Sequence, residues 1–304
     1  MPEVKKIIIN ENISGQRLDN FLLNQLKGVP KSKVYSIIRK GEIRINSKRK
    51  KPSYKLVTGD EVRVPPIKTS TKENQFVPTN IIALLRNSIV KENDDCIVLN
   101  KPEGIASHGG SGISIGVIET IRNFGKSYRD AKLVHRLDKD TSGCQVIAKN
   151  NKFLRNCNKL ISERKVKKTY QAIVHGNWIH KDGIYEINIE KNMLIGKERM
   201  VRISDGGKIA KTFFKVIESS KHFSLIQCEL ITGRTHQLRV HLSELGFPIV
   251  GDKKYGIKEN KIPTSSGHKK RMYLHANSFI SKDLNIYINI KPSKEFKKIL
   301  KNDE

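Results

Sequence analysis

The sequence predicts an α+β protein with a small basic N-terminal domain and a larger domain whose mixed, largely antiparallel sheet is flanked by helices and loops. At 304 residues the chain is long enough for two domains, one of them with a sizeable core. Residues 14–66 are predicted to form a separate unit, because helical periodicity and short strands end there at Pro65-Pro66. From about Ile89 onward, short strand-like runs alternate with helical segments, which is typical of an α+β domain.

The N-terminal unit is predicted to contain two helices followed by short strands. Apolar residues at helical spacing mark the first helix, at Leu18, Phe21, Leu22 and Leu26. The second helix is expected to start with Ser32 as its N-cap and to end at Gly41, since glycine favours the left-handed position after a helix. Strands are expected at Ile43–Ile45 and Glu61–Val64, beside turn residues.

Residues 67–85 are mostly polar and are predicted to form a linker, with a short local helix at Ile81–Leu85. The second domain is then expected to span residues 86–304. One helix is predicted over 152–164, and another begins with Thr235 as its cap. Strands are predicted at Cys96–Asn100, Gln145–Ala148, Lys168–Val174, Tyr185–Ile189, Thr212–Ile217 and Phe223–Leu230.

The strongest bulk signal is a formal charge of +28, from 58 Lys and Arg against 30 Asp and Glu. Such an excess favours a polyanionic partner, and nucleic acid is the first candidate. A lysine-rich composition imposed by an AT-rich genome is the competing explanation, since it raises the charge without any binding. No run approaches the roughly 18 apolar residues of a membrane span, and no basic amphipathic helix with aromatic anchors is visible, so no membrane partner is expected.

Targeting and redox signals predict a cytoplasmic protein. The N-terminus has no apolar signal-peptide segment, because Ile7-Ile8-Ile9 is interrupted at once by Asn10-Glu11-Asn12. The four cysteines are scattered without CxxC spacing, which favours reduced thiols over disulfides or a zinc site. We therefore expect no metal. Nothing in the sequence suggests an obligate interface, so a monomer is expected.

Basic residues cluster on the second predicted helix and on the hairpin after it. Arg39 and Arg44 flank the tight turn at Gly41, where both side chains can point at one phosphate backbone. The alternative is an ordinary solvated, lysine-rich surface. The candidate RNA contacts on this face are Lys31, Arg39, Arg44, Lys48 and Arg49.

The most informative segment for chemistry runs from Leu133 to Gly143. An apolar lead-in is followed by the basic pair His135-Arg136, the carboxylate of Asp138 and a Thr-Ser-Gly turn. Short polar side chains in such a turn bond to the nearby backbone, so this loop can hold Asp138 at the mouth of a site.

Two further segments can complete this site. In the strand predicted at 168–174, Tyr170 lies among small apolar residues, where it is either a core side chain or a platform for a flipped base. Arg234 follows a Thr-Gly turn and precedes a helix, which is a rigid place for a guanidinium that pairs with an anion. Leu238 begins the apolar face of that helix.

These segments, in this order, resemble the RNA pseudouridine synthases that isomerise uridine in ribosomal and transfer RNA. The matching motifs are Asn100-Lys101-Pro102, His135-Arg136-Leu137-Asp138, Lys168-x-Tyr170-x-Ala172 and Gly233-Arg234-Thr235-His236-Gln237-Leu238-Arg239. The N-terminal unit resembles the S4 RNA-binding domain through Arg17-Leu18-Asp19, Pro30-Lys31-Ser32, Arg39-Lys40-Gly41 and Gly59-Asp60. The resemblance covers nearly the whole chain, so it implies an S4 domain followed by a pseudouridine synthase catalytic domain.

The resemblance implies catalytic roles for three residues. Asp138 would be the nucleophile, Tyr170 would stack on the target uracil and take part in proton transfer, and Arg234 would pair with Asp138. The residues that would contact the RNA or the target base are Arg136, His135 and Leu238. Arg136 would also help to replace the extruded base in the RNA helix.

The implied reaction is the isomerisation of specific uridines in 23S ribosomal RNA, either free or within large-subunit assembly intermediates. The N1–C1′ bond breaks, the uracil rotates and a C5–C1′ bond forms, so no redox change and no cofactor is needed. Attack by the carboxylate at C1′ of the ribose and attack at C6 of the uracil both fit. The target lies in folded RNA and must be flipped out, at a cost of a few kcal/mol.

Three other interpretations compete with this one. A metal-dependent nuclease would use Asp138 and Asp140 as a pair, but the basic excess argues against it. A zinc hydrolase would use His236 and His241, but their i, i+5 spacing does not place both on one helical face. A non-catalytic RNA-binding factor for ribosome assembly would share the S4 unit and the charge, and it would not need Asp138. Changing Asp138 to Asn separates that last interpretation from an enzyme.

Overall fold

The computed structural model describes residues 4–26, 28–67, 76–110, 115–195, 198–257 and 271–301. Contacts divide the chain into two units, with the boundary between Phe76 and Val77. Each unit has its own apolar core. The boundary lies inside the predicted linker at 67–85, of which residues 68–75 are outside the described residues.

The N-terminal unit packs two helices against a small antiparallel sheet with the strand order β1-β3-β2. Its elements are β1 (Lys5–Ile8), α1 (Leu18–Gln25), α2 (Lys31–Lys40), β2 (Arg44–Ile45) and β3 (Glu61–Val64). The predicted helices and strands are present, but β1 lies before the predicted start of the unit at residue 14 and pairs with β3. The side chains of β1 are mostly exposed, so this strand lacks the alternation of buried and exposed residues that marks a strand in a sequence.

Helix α2 begins and ends at turn-forming residues. Pro30, not the predicted Ser32, occupies the N-cap position, where its ring fixes a φ of −55° that suits the start of a helix. The predicted C-terminal glycine is confirmed, since Gly41 has a φ of 73°. Between these ends, Val34 and Ile37 are fully buried in the core of the unit.

The first half of the second unit alternates helices with strands. Its elements are α3 (Thr79–Asn87), β4 (Ile89–Glu92), β5 (Cys96–Lys101), α4 (Val117–Arg122), β6 (Lys132–Leu133), β7 (Ser142–Ala148) and α5 (Asn151–Ser162). Helix α3 is the local helix predicted inside the linker. Because its Leu85 is fully buried in an apolar cluster with Ile97 and Val117, α3 belongs to the second unit.

The second half carries most of the sheet. Its elements are β8 (Lys167–His175), β9 (Gly183–Ile195), β10 (Glu198–Ile203), β11 (Lys208–Ser219), β12 (Phe223–Leu230), α6 (Gln237–Glu244), β13 (Leu274–Ser281), β14 (Ile286–Asn289) and α7 (Lys294–Lys301). Strands β4–β14 form one sheet in the order β10-β9-β11-β12-β8-β13-β7-β5-β4, with β14 paired to β13 and β6 to β7. Among these described strands the β13–β7 pair is parallel and the others are antiparallel, which confirms the predicted mixed, largely antiparallel sheet.

Helices cover both faces of this sheet. Successive residues of β8 point to opposite faces, so Ala172 joins one core and Ile173 joins another. Helices α5 and α6 cover the first face through Leu160 and Leu242, and α7 covers the second through Phe296. In the part of the chain that the structure describes, no helix is both long and apolar enough to span a membrane.

Candidate active site

A cleft of about 910 Å³ in the second unit brings together all three segments that the sequence predicts to be catalytic. One wall is the loop between β6 and β7, which carries Asp138. A second wall is β8, which carries Tyr170, and a third is the segment between β12 and α6, which carries Arg234. The sheet therefore gathers residues that lie far apart in the sequence.

Hydrogen bonds to the backbone of its loop hold Asp138 at the mouth of the cleft. Thr141 donates its backbone N–H to the Asp138 carbonyl at 3.2 Å, which closes a tight turn. Ser107 Oγ accepts the Leu137 N–H at 2.9 Å and donates to the Leu137 carbonyl at 2.6 Å, while Gln145 Nε2 donates to the same Oγ at 2.9 Å. The Asp138 side chain is 32% exposed, so a substrate can reach a carboxylate whose backbone is fixed.

The glycine that closes the turn lies directly against the neighbouring strand. Gly143 has a φ of +107°, a region that side chains disfavour. A Cβ at this position would overlap the carbonyl oxygen of Ala276 in β13, the strand parallel to β7. Only glycine allows β7 and β13 to approach so closely beside the Asp138 loop.

Replacing Gly143 with Ala is expected to destabilise the protein more than replacing Gly246 with Ala. Both glycines have positive φ values, +107° and +83°, and each substitution adds about 1–2 kcal/mol of backbone strain. Nothing lies within 4 Å of a Cβ at Gly246, whereas Gly143→Ala must also displace β13, at about 1–3 kcal/mol more. Urea unfolding of both variants measures the difference, and equal losses would contradict the close approach.

Lys101 also holds the backbone of the loop that carries Asp138. Its side chain is fully buried, and its Nζ donates to the carbonyls of Pro102, Ile105 and Lys139 at 2.7, 2.8 and 3.2 Å. Burial lowers the pKa of this ammonium to about 7, against the opposing effect of the Asp140 carboxylate. The Asn-Lys-Pro motif therefore fixes the backbone that follows Asp138.

The arginine that pairs with Asp138 is Arg239, and the predicted pair with Arg234 is wrong. Arg239 Nη1 donates to Asp138 Oδ2 at 3.1 Å. Its Nε and Nη2 donate to Oδ2 and Oδ1 of Asp252 at 2.7 and 2.8 Å, so the guanidinium lies between two carboxylates. Arg234 instead donates from Nε to the Ile209 carbonyl at 3.1 Å and is exposed at the rim of the cleft.

Asp252 orients this arginine. It is 1% exposed and accepts backbone N–H groups from Lys254 and Tyr255 at 2.8 and 3.1 Å. Burial opposes its ionisation, but the Arg239 side chain and the backbone bonds hold the pKa of Asp252 below its usual value. Burial would also lower the pKa of Arg239, yet Asp252 and then Asp138 raise it, so a fixed cation faces Asp138.

The two oxygens of Asp138 have different surroundings. Oδ2 accepts the bond from Arg239, and His236 Nε2 lies 3.9 Å from the same oxygen. Within the described residues, no hydrogen bond to Asp138 Oδ1 is formed. Oδ1 is therefore the oxygen that the site leaves available for chemistry.

Tyr170 belongs both to the core and to the wall of the cleft. It is 8% exposed on β8, between β12 and β13, and shares an apolar cluster with Leu238. Burial, followed by the charges of Cys144 and Asp138, raises the pKa of its phenol, so the hydroxyl stays protonated at neutral pH. Leu238 lines the same cleft and contributes to the apolar side of the cleft.

His135 and Arg136 have different environments although they are adjacent in the sequence. His135 Nε2 accepts the Val146 N–H at 3.0 Å, and its ring stacks on Phe279 with 5.3 Å between centroids. Burial lowers the pKa of His135 to about 3, so its ring is neutral. The contacts of the ring with Val146 and Phe279 stabilise the loop, and this geometry does not support the predicted RNA contact of His135. Arg136 is exposed, and its Nη1 donates to His108 Nε2 at 2.6 Å beside the cleft.

The basic residues predicted to contact RNA from the N-terminal unit lie on α2, on β2 and in the turn after β2. Lys31, Arg39, Lys48 and Arg49 are exposed, and Arg44 is half-buried. The Arg49 side chain lies across the Gly41 backbone, which holds its guanidinium beside the turn that ends α2. No cluster of His, Cys, Asp or Glu among the described residues could hold a metal ion.

Sequence reasoning missed four residues of the site, which are Arg239, Asp252, His236 and Tyr255. The start of α6 also differs from the prediction. The helix does not begin after a Thr235 cap; it begins at Gln237, and the residue before it has a left-handed φ of 52°. The cap therefore lies one residue later than predicted, and the last arginine of the motif, rather than the first, pairs with Asp138. That last arginine was visible in the motif, and its partner Asp252 lies 13 residues later, in the segment that follows α6.

Comparisons with known proteins show which proteins this chain is similar to. The family model for RNA pseudouridylate synthase matches residues 95–244, and that for the S4 domain matches residues 16–62. Ribosomal large subunit pseudouridine synthase C of Salmonella typhi is 45% identical over 279 residues, which cover 90% of this chain and 88% of that protein. The protein of the same name from Haemophilus influenzae is 46% identical over 275 residues, covering 90% and 85%. The solved structure of Human RNA Pseudouridylate Synthase Domain Containing 4 matches with a TM-score of 0.60 at 26% identity, over 73% of this chain and 95% of that chain. This chain belongs to the RNA pseudouridylate synthase family.

Proposed function

We propose that this protein isomerises uridine to pseudouridine in large-subunit ribosomal RNA, with Asp138 as the nucleophile. The observation that supports this most strongly is the set of hydrogen bonds by which Arg239 joins Asp138 to Asp252. A carboxylate nucleophile must be ionised, and an adjacent guanidinium that a second carboxylate orients favours that form. The similarity to synthases named for the ribosomal large subunit supports the choice of RNA.

In the proposed reaction the uracil changes its point of attachment to the ribose from N1 to C5. The N1–C1′ bond breaks, the uracil turns within the cleft, and a C5–C1′ bond forms. C5 loses a proton and N1 gains one, so substrate and product are isomers and Asp138 is released unchanged. Tyr170 offers a face for stacking and a protonated hydroxyl for proton transfer, while Leu238 lines the apolar side.

The basic side chains around the cleft are proposed to hold the RNA while the target base is extruded. Flipping costs a few kcal/mol, which contacts to phosphates and to the vacated stack must supply. Arg136 is exposed at the cleft and is suited to fill the vacated place, and Arg234 at the rim is suited to bind a phosphate. The S4 domain adds affinity through its exposed basic residues.

The protein is proposed to act in the cytoplasm, as a monomer, on ribosomal RNA or on assembly intermediates of the large subunit. The four cysteines are free and buried, which suits a reducing compartment. Whether free RNA or an intermediate is preferred is measured by comparing rates on deproteinised 23S RNA and on isolated precursor particles.

The proposed function is tested by mapping pseudouridines. Purified protein is incubated with unmodified 23S RNA, and new pseudouridines are located by carbodiimide adducts and primer extension, with Asp138→Asn as the control. Discrete stops that vanish in the variant are expected. Primer-extension stops found only on transfer RNA or 16S RNA would contradict 23S RNA as the substrate. No stops on any RNA, with tight binding retained, would favour the assembly-factor interpretation.

Neutralising Arg39 and Lys48 together is expected to weaken 23S RNA binding while leaving the rate at saturating protein unchanged. Each lost phosphate contact should make the slope of log K against log salt less steep by about 0.7–0.9. A matched control neutralises the exposed Lys294 and Lys298 on α7. Titrations at several salt concentrations measure both slopes, and identical slopes for the two variants would count against a specific basic face on the S4 domain.

A further inference from the structure

His236 faces Asp138, and its hydrogen bonds decide which of its ring nitrogens carries the proton. Nε2 lies 3.9 Å from Asp138 Oδ2, and Nδ1 lies 2.8 Å from the hydroxyl oxygen of Tyr255. The same hydroxyl oxygen accepts the backbone N–H of Val201 at 3.1 Å, at a bulge in β10. The ring is therefore placed between a phenol and the proposed nucleophile.

Two arrangements of these protons can be compared. If Tyr255 donates to Nδ1, the hydroxyl proton has an acceptor, and the neutral ring of His236 carries its own proton on Nε2, which faces Asp138. If Nδ1 donates instead, the hydroxyl proton has no described acceptor, and the lone pair of Nε2 faces the negative oxygen of Asp138. The first arrangement satisfies the polar groups and avoids that repulsion.

His236 stays neutral because of its surroundings. Burial lowers the pKa of the imidazole, against the opposing effect of the Asp138 carboxylate. The other charged groups that face it are Arg239 and Lys254, which lower the pKa, and Asp252, which raises it. A neutral ring with its proton on Nε2 presents an N–H, rather than a second cation, to Asp138.

The backbone of His236 is strained, and neighbouring bonds hold it in place. A left-handed φ of 52° costs a residue other than glycine about 1–2 kcal/mol. Gln237 fixes the segment, because its Oε1 accepts from Thr232 Oγ1 and from the Arg234 N–H, both at 2.9 Å. Its Nε2 donates to the Lys211 carbonyl at 3.0 Å. Strain that the surroundings impose on one residue is a common sign that its side chain is being positioned.

We propose that Tyr255 and His236 form a positioning pair that directs an N–H at Oδ2 of Asp138. Together with Arg239 it holds that oxygen and leaves Oδ1 to attack during uridine isomerisation. The 3.9 Å separation is longer than a hydrogen bond, so the contact is electrostatic in the free protein and shortens when RNA fills the cleft. This inference rests on the proposed function.

Two variants remove the positioning pair in different ways. Tyr255→Phe deletes the hydroxyl and keeps the ring, whose centroid lies 5.0 Å from the Arg239 guanidinium. His236→Gly deletes the imidazole and tolerates the left-handed backbone, so it relieves the strain. Each is expected to lower the single-turnover rate on 23S RNA by about ten- to a hundredfold. The Kd for the RNA is expected to stay within about twofold of wild type, since neither variant removes a phosphate contact.

A spectroscopic readout tests the proton arrangement without any assay of activity. Nitrogen NMR of the full chain with labelled histidine gives signals for nine histidines, and the set absent from His236→Gly is that of His236. The expected wild-type signal is that of a neutral ring protonated on Nε2, and Tyr255→Phe should show a mixture of tautomers. A purely structural role for Tyr255 predicts no such change.

The outcomes separate this inference from the proposed function. A wild-type signal for protonated Nδ1, or wild-type single-turnover rates in both variants beside an active wild type, would overturn the positioning pair alone. Weakened RNA binding with an unchanged rate would also overturn it, since His236 would then be an RNA contact. If the wild-type protein forms no pseudouridine on any RNA, the proposed function fails and this inference fails with it.

Discussion

Asp138→Asn is expected to reduce pseudouridine formation by about 10⁴-fold or more while leaving folding and RNA binding intact. The amide is a poor nucleophile, whereas the fold loses little because the side chain is 32% exposed and Arg239 keeps both bonds to Asp252. Single-turnover assays on 23S RNA, together with filter binding and thermal unfolding, measure the three properties.

A matched control for this substitution is Asp140→Asn. Asp140 is an exposed carboxylate two residues away on the same loop, so it carries the same charge change without a place beside Arg239. Its variant is expected to keep nearly the wild-type rate. If Asp138→Asn loses less than about 100-fold, or if Asp140→Asn loses as much, the nucleophile is not Asp138.

Arg239→Met is expected to abolish activity and to lower the free energy of unfolding by about 3–5 kcal/mol. It leaves Asp252, which is 1% exposed, without its buried cation, and it removes the cation beside Asp138. Arg234→Met is expected to change stability by less than about 0.5 kcal/mol, because this side chain is exposed, and to weaken RNA binding.

Combining Arg239→Met with Asp252→Leu distinguishes stability from catalysis. Replacing both members of a buried ion pair with apolar residues is often neutral, so the double variant should regain part of the lost stability and remain inactive. The recovery is incomplete because the backbone N–H groups of Lys254 and Tyr255 lose Asp252 as their acceptor. Urea unfolding and single-turnover rates measure the two properties. Activity restored along with stability would show that Arg239 acts only through the fold.

The stabilisation by the Arg239–Asp252 pair should depend on pH in a defined direction. The pKa of Asp252 is lowered in the folded protein, so its contribution is fully present above the unfolded value of about 3.9 and is lost as pH falls through the lower folded value. The difference in unfolding free energy between wild type and Arg239→Met should therefore shrink as pH falls below about 4. It should grow above that pH until Asp252, whose ionisation burial opposes once Arg239 is gone, has ionised in the folded variant as well.

The sequence predicted the fold class and the motifs better than the contacts between them. Helical periodicity identified α5, which buries one face, and short runs rich in apolar residues identified β8 and β12, which are largely buried. The same reasoning did not find β1, with its mostly exposed side chains. It also did not predict that β13 lies between β8 and β7, because no local pattern specifies a pairing across more than a hundred residues.

The errors in the site have the same origin. Asp138 and Tyr170 are recognisable from their own segments, and the structure places both in one cleft. The motif contains both Arg234 and Arg239, and no local pattern shows which of the two side chains reaches Asp138 in the folded protein. Asp252 follows Arg239 by 13 residues, but only the folded turn after α6 shows that its carboxylate orients that arginine. The assigned roles stay predictions that the variants above test.

The position of β13 also has a consequence for synthesis of the protein on the ribosome. This strand joins β8 to β7, yet residues 274–281 emerge more than a hundred residues after β7 and about a hundred after β8. Until then the nascent chain holds two separate groups of strands, β4–β7 and β8–β12, each with an unpaired edge that can associate with other chains. Because Asp138 lies in the first group and Tyr170 in the second, we expect the cleft to be completed only after β13 has been made. The growing chain is therefore expected to be inactive toward the RNA of the ribosome that is producing it.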